Sequence, residues 1–160
     1  MRNAANVSSK NLKRYLEGLG VNARFLRFEG HTMTVDAAAG RLGINREKII
    51  KSILFIDDWG RPILAIVTGD KKVDEKKLAI ACGARKVARA NPAEVKKFTG
   101  YEVGAVSPVN HKRQIRTFID EKVVTFDKVI GGGGEINVLL EISTDDLRRL
   151  TNGQIKNIGT

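Results

Sequence analysis

Apolar residues recur at helical spacing at Leu12, Tyr15, Leu16 and Leu19, with Ser8 or Ser9 as cap and Gly20 as stop, which predicts an amphipathic first helix. Ala23 to Phe28 mixes apolar with basic residues and reads as a half-buried strand. Thr34 caps an alanine-rich helix to Leu42, ended by Gly43, and Asn45 opens a short helical turn leading into Lys51. Lys51 to Asp57 and Pro62 to Thr68 are β-rich runs on either side of an Asp58-Trp59-Gly60-Arg61 turn. Their apolar content predicts two central strands joined as a hairpin.

Asp74 to Cys82 is a second amphipathic helix, with Leu78, Ala79 and Cys82 inward and Gly83 beyond its end. Arg85 to Arg89 is a short basic strand. Asn91-Pro92 followed by Glu94 starts a further helix that ends at Gly100. Beyond it the pattern predicts a loop at Gly104 to Pro108 and strands at Arg116 to Asp120, Val123 to Phe126 and Ile136 to Ile142. Ser143 and Thr144 cap a last helix through Leu150, and Ile155 to Ile158 reads as an edge strand. Strands and helices alternate without a βαβ period or a fixed repeat, so the expected class is α+β: a mixed, curled sheet with short helices around it.

The 160 residues predict a single domain, 1–160, long enough to bury a core without a staple. The lone cysteine, Cys82, excludes an internal disulfide framework and reads as a buried, inert thiol. No apolar leader opens the chain and no apolar run approaches a membrane span, so a cytoplasmic protein with no membrane partner is expected. Lys and Arg exceed Asp and Glu by 28 to 18, a formal +10 that invites a polyanion. The excess is diffuse and names no chemistry.

Serine-hydrolase elbows, phosphate loops, dinucleotide fingerprints and Cys-x-x-Cys pairs are all absent. With two histidines and one cysteine the chain is expected to use neither metal nor cofactor. Lys51 opens an apolar strand, where it is either a strand-end lysine snorkelling to water or a lysine at a pocket mouth, aimed at a carbonyl or phosphate. Gly104-Ala105-Val106-Ser107-Pro108 is either an ordinary connection or a loop presenting backbone N–H groups to an oxyanion. Gly131, Gly132, Gly133 and Gly134 form either a loose hairpin tip or a pocket wall that side chains would block. Arg85, Lys86, Arg89, Lys112, Arg113 and Arg116 could grip phosphates or merely face solvent, and Trp59 could stack a base or cover its hairpin.

Lys51 opening Lys-Ser-Ile-Leu-Phe, the hairpin after it, the Gly100 to Pro108 pattern and the glycine run before Glu135-Ile136 occur in one order. That order resembles the YbaK/ProX family of aminoacyl-tRNA deacylases, the prolyl-tRNA-synthetase-associated editing domains, from about Val21 to Leu150. The resemblance implies a barrel-like α+β fold and a free-standing trans-editing enzyme that hydrolyses the ester of mischarged tRNA, with tRNA-Pro-type substrates and prolyl-tRNA synthetase as a partner. It places Lys51, Gly104 and Ser107 in catalysis, and Ala105, Val106, Pro108 and Gly131 to Gly134 around the substrate. The six basic residues then become a tRNA track. Glu135 and Ile136 depart from cysteine-specific members, which leaves open the amino acid removed. The rival readings are a non-catalytic nucleic-acid-binding module and a small-molecule hydrolase or regulatory domain using the same pocket.

Overall fold

The computed structural model describes residues 8–32 and 34–160; most of the segment read as lacking a leader lies outside them. Local signals set most of the elements. Ser8 Oγ accepts the Asn11 N–H and opens α1 (Ser9–Gly18), which buries Leu12 and Leu16. Leu19 falls off this stripe, 53% exposed, because the helix has already closed at that residue. Thr34 caps α2 (Val35–Leu42), which ends on Gly43 in the left-handed region. Asp74 caps α3 (Glu75–Cys82), and Asn91 and Glu94 exchange side-chain bonds with each other's backbone to start α4 (Pro92–Thr99). Ser143 caps α5 (Thr144–Thr151).

The strands are β1 (Arg24–Arg27), β2 (Ile50–Asp57), β3 (Pro62–Thr68), β4 (Val87–Arg89), β5 (Arg116–Asp120), β6 (Lys128–Gly132), β7 (Val138–Ser143) and β8 (Gln154–Lys156). The class is α+β with mixed pairing, as expected. The strands form two sheets: a five-stranded β4-β2-β3-β5-β8, parallel only at β3–β5 and β5–β8, and an antiparallel β1-β7-β6. Neither order returns on itself, so the hydrogen-bonded pattern is open; an Ile49–Ile130 bridge joins the sheets.

Three expectations need correction. Val123 to Phe126 is not a strand but a 3₁₀ turn, Val123–Thr125, that buries Val123 completely. The strand lies further on and takes in the first two glycines of the run. The strand expected from Ile136 begins at Val138, since Glu135 to Asn137 turn back toward Phe28 and Thr32. The last strand is Gln154–Lys156; Ile158 lies beyond it, fully buried.

Alternation along β2 divides the interior. Ile50 and Leu54 join Leu64, Ile66, Leu140 and Ile142 in a core between the sheets, closed by Leu12 and Leu16. Phe55 points the other way, with Ile63, Val67 and Phe118, under Leu78 and Cys82 of α3. Each such Leu, Ile or Phe contributes roughly 1.5–3 kcal/mol on burial.

Candidate active site

The site grows from an incomplete ladder. β2 pairs with β3 over Ile50 to Ile56, but with β4 only from Phe55 to Asp57. The Gly69 N–H donates to the Ile49 carbonyl and the Asp57 N–H to the Arg61 carbonyl, so odd-numbered β2 residues turn their main-chain groups toward β3. Even-numbered residues turn theirs outward: the Leu54 carbonyl accepts the Ala90 N–H. Among the described residues, no strand lies on that side at Ser52. A cavity of about 560 Å³ occupies the gap.

Its walls come from several elements. β2 supplies Ile50 to Leu54, α2 supplies Val35 and Ala38, and α4 supplies Pro92 and Val95. Gly104 and Val106 line it beside Gly131 and Gly132 of β6, and Arg89 stands on β4. The lining is largely aliphatic. Among the described residues, Lys51 and Arg89 are its only ionisable side chains, and no carboxylate, imidazole or thiol lines it.

Lys51 lies at the start of β2, half-buried, and its Nζ donates to the Lys71 carbonyl. Burial lowers its pKa from the ordinary lysine value, and the nearby Arg46 and Arg89 push the same way, against a weaker pull from Asp70. It is therefore a lysine with a partly removed hydration shell in a cation-rich corner, suited to meeting an anion or a developing negative charge.

The Gly104 loop is held from behind. Gly104 has φ +89°, a conformation that favours glycine. The Ala105 N–H donates to the Glu102 carbonyl, and the Ala105 carbonyl accepts the Gly134 N–H. Ser107 is fully buried and does not line the cavity: its Oγ accepts the Val109 N–H, and its carbonyl accepts the Nε2–H of His111 at 2.7 Å. Burial pushes the His111 pKa down to about 4, partly opposed by that bond, so the ring is neutral at pH 7. Among the described residues, no partner takes the N–H of Gly104, Val106 or Ser107.

The glycine run is neither a loose tip nor wholly a pocket wall. Gly131 and Gly132 belong to β6 and line the cavity, while Gly133 and Gly134 do not. A Cβ on Gly133 would meet the Val138 carbonyl oxygen at 2.8 Å, and one on Gly134 the Ser9 nitrogen at 2.8 Å. The run is a surface on which other main chain lies closely.

The structure thus brings Lys51, Gly104, Val106, Gly131 and Gly132 together. Ala105, Ser107, Pro108, Gly133 and Gly134 support the wall from behind. Of the six basic candidates only Arg89 reaches the cavity. Arg113 packs over Phe98, and Arg116 bonds the Cys82 carbonyl and covers Phe118. Sequence reasoning missed Ser52, a residue of the cavity wall whose buried Oγ has no hydrogen-bond partner among the described residues. Its signal was present, since Ser52 follows Lys51 on an apolar strand, but the unpaired edge beside it depends on β4 being short.

The profile of the aminoacyl-tRNA editing domain matches residues 29–150, a span that includes all of these walls. The chain belongs to that family. It is 30% identical over 128 residues to a candidate Cys-tRNA(Pro)/Cys-tRNA(Cys) deacylase, EbsC, of Enterococcus faecalis, covering 80% of this chain and 78% of the relative. It is 34% identical over 108 residues to the proline–tRNA ligase of Lactobacillus helveticus, covering 68% of this chain but only 19% of that enzyme. The crystal structure of a candidate trans-editing enzyme for prolyl-tRNA synthetase superposes with a TM-score of 0.86 at 25% identity, over 100% of this chain and 99% of that one. No helix among the described residues is long and apolar enough to cross a membrane.

Proposed function

We propose that this editing domain, acting as one unit over residues 1–160, is a trans-editing deacylase that hydrolyses the ester between a wrongly attached amino acid and the 3′ end of tRNA. The observation that supports the reading is the cavity's polar inventory among the described residues: Lys51, Arg89, the hydroxyl-bearing Ser52, Thr32 and Thr34, and Gly104 and Val106, whose main-chain N–H groups have no partner, with no carboxylate, imidazole or thiol. An aminoacyl ester is already activated, and water can attack it once the carbonyl is positioned and its developing oxyanion stabilised.

In this mechanism the N–H groups of Gly104 and Val106 donate to the ester carbonyl oxygen, and their donation strengthens as that oxygen becomes an oxyanion. Lys51 polarises the ester or holds the terminal adenosine's phosphate. Water adds to the carbonyl carbon as the substrate's own amine or hydroxyl relays its proton to the leaving 3′-oxygen, and the ester C–O bond breaks to give the free amino acid and the 3′-hydroxyl of the tRNA. Ser107 acts as a positioning residue through its bonds to Val109 and His111. The aliphatic walls and Ser52 face the amino acid, where one methylene is worth about 1–3 kcal/mol of discrimination. The relatives' names favour tRNA-Pro-type substrates and a partnership with prolyl-tRNA synthetase, and such substrates place the work in the cytoplasm.

A deacylation panel over mischarged tRNAs tests the reading, with turnover of at least one ester expected. Tight nucleic-acid binding without any turnover would leave a binding module. Turnover of a small ester with no competition by tRNA would leave a small-molecule hydrolase.

A further inference from the structure

Trp59 is the only tryptophan of the chain, and it stands 77% exposed at the tip of the β2–β3 hairpin. The tip is rigid. Asp57, whose side chain is 2% exposed, accepts the N–H groups of Trp59 at 2.9 Å and Arg61 at 2.8 Å on one oxygen, and Arg61 Nε at 2.9 Å on the other. Asp58 accepts the Arg85 N–H at 3.2 Å, which ties the tip to the loop before β4. A large aromatic ring left 77% exposed on a braced turn buries little apolar surface in the fold.

Charge surrounds it selectively. Arg85 and Lys86 lie in the tied loop, and Arg116 pairs with Ile63 just past the turn. Of the acids at the tip, Asp57 is buried and paired with Arg61, and Asp58 accepts the Arg85 N–H. Lys51 lies at the opposite end of β2, and the cavity runs from there along the strand to Leu54 and Arg89. Lys51 to Asp57 is six steps, about 20 Å at the usual strand rise. Arg89 sits opposite Phe55, between the two.

We propose that the Trp59 tip is the docking surface for the acceptor arm of tRNA, stacking a base where the unpaired 3′ end joins the stem. Some 20 Å corresponds to about six stacked nucleotides, fewer in a stretched strand. An ester held at Lys51 thus puts the single-strand junction at the hairpin tip. Arg89 meets phosphates on the way, and Arg85 and Lys86 meet the stem. The ring supplies a sequence-tolerant stacking face and the cations the phosphate contacts, a combination suited to a nucleic-acid strand. This inference rests on the deacylase reading.

The test uses the full chain and its single tryptophan. Uncharged tRNA should quench Trp59 emission saturably and salt-dependently, while labelled-tRNA anisotropy independently measures binding. Binding by anisotropy with unchanged emission would overturn the proposal. Trp59→Ala should lower kcat/KM on mischarged tRNA about five- to a hundredfold, and Trp59→Phe should recover most of it. Both variants should hydrolyse an aminoacyl-adenosine ester at the wild-type rate. An equal loss on both substrates, no loss on tRNA, or a change of oligomeric state in Trp59→Ala would overturn the docking surface. Wild-type protein inactive on both substrates would instead overturn the deacylase reading.

Discussion

Gly132 and Val106 touch main chain to main chain: a Cβ on Gly132 would lie 2.2 Å from the Val106 carbonyl oxygen and 2.9 Å from its carbon. The loop that offers N–H groups to the cavity therefore rests directly on β6. Gly132→Ala cannot be absorbed by a side-chain rotation. It should destabilise the fold by about 1–3 kcal/mol and lower deacylation by more than the lost folded fraction, because the loop must lift. Gly131→Ala meets the movable Ile50 side chain at 3.0 Å and the Pro108 ring at an ordinary 3.6 Å, and should cost less. Denaturant midpoints and activity measured on both variants check the order; equal effects would mean that the loop contact does not matter.

Lys51 is half-buried, and among the described residues its ammonium is held by the Lys71 carbonyl alone. Its burial among cations already weakens the charged form, so Lys51→Met, which keeps the aliphatic stem, should leave thermal stability within about 1 kcal/mol of wild type. Deacylation should fall on the order of a hundredfold or more, the usual loss for one group that stabilises transition-state charge. Since its pKa is lowered, the wild-type rate should begin to decline at a pH below the ordinary lysine value. Full activity in Lys51→Met would remove it from the mechanism.

His111 ties stability to pH. Its folded pKa of about 4 lies below the unfolded 6.5, so the unfolded chain binds the proton first. Stability should therefore be at its full value above pH 6.5, fall as pH drops through the window from 6.5 to about 4, and lose no more to this group below it. The loss is on the order of 3 kcal/mol at most. Chemical denaturation across that range should show the slope, and His111→Gln, which keeps a donor for the Ser107 carbonyl, should flatten it. An unchanged slope in the variant would place the titration elsewhere.

Much of this was legible in the chain because the signals are local. The Thr34, Asp74, Asn91 and Ser143 caps, the Gly43 and Gly83 stops and the Asp57 to Pro62 hairpin each depend on neighbours a few residues away. Val123 to Phe126 misled because β-branched residues favour strands, yet here Val123 must turn inward to fill the core. β6 was hidden for the opposite reason. Glycine is poor in strands, and only the closeness of Val106 explains its place there. Lys51 and Gly104 could be selected from their neighbours, whereas Ser52 needed the free edge of β2, which long-range pairing creates.

Salt separates the electrostatic track from the chemistry. If Arg85, Lys86 and Arg89 contact tRNA phosphates, kcat/KM on mischarged tRNA should fall steeply between low and physiological salt, while an aminoacyl-adenosine ester is barely affected. Replacing any one of the three by Gln should reduce the log–log salt slope by about 0.7–0.9. Arg116→Gln should change the slope less and stability more, since its guanidinium is held by the Cys82 carbonyl at 2.8 Å. Identical salt slopes for both substrates would return the positive charge to a solubility role.

Asp120 joins the far end of the chain to the site. It is fully buried, accepts the N–H groups of Ile158 and Gly159, and pairs with Lys71 at 3.5 Å. Burial pushes its carboxyl up, but these N–H donors and Lys71 outweigh it and hold the pKa below the ordinary value. Its stabilising effect is thus present above the unfolded carboxylate range and fades as pH falls through the lowered folded value. The Lys71 carbonyl is the acceptor for Lys51, so the clasp also fixes where that ammonium sits. Asp120→Ala strands Lys71 and two buried N–H groups and should cost about 3–5 kcal/mol. Asp120→Asn keeps an acceptor and should cost less. At a temperature where Asp120→Asn is fully folded, its deacylation should still be reduced, with an altered alkaline limb in the pH profile. A wild-type profile there would confine Asp120 to holding the C-terminal residues in place.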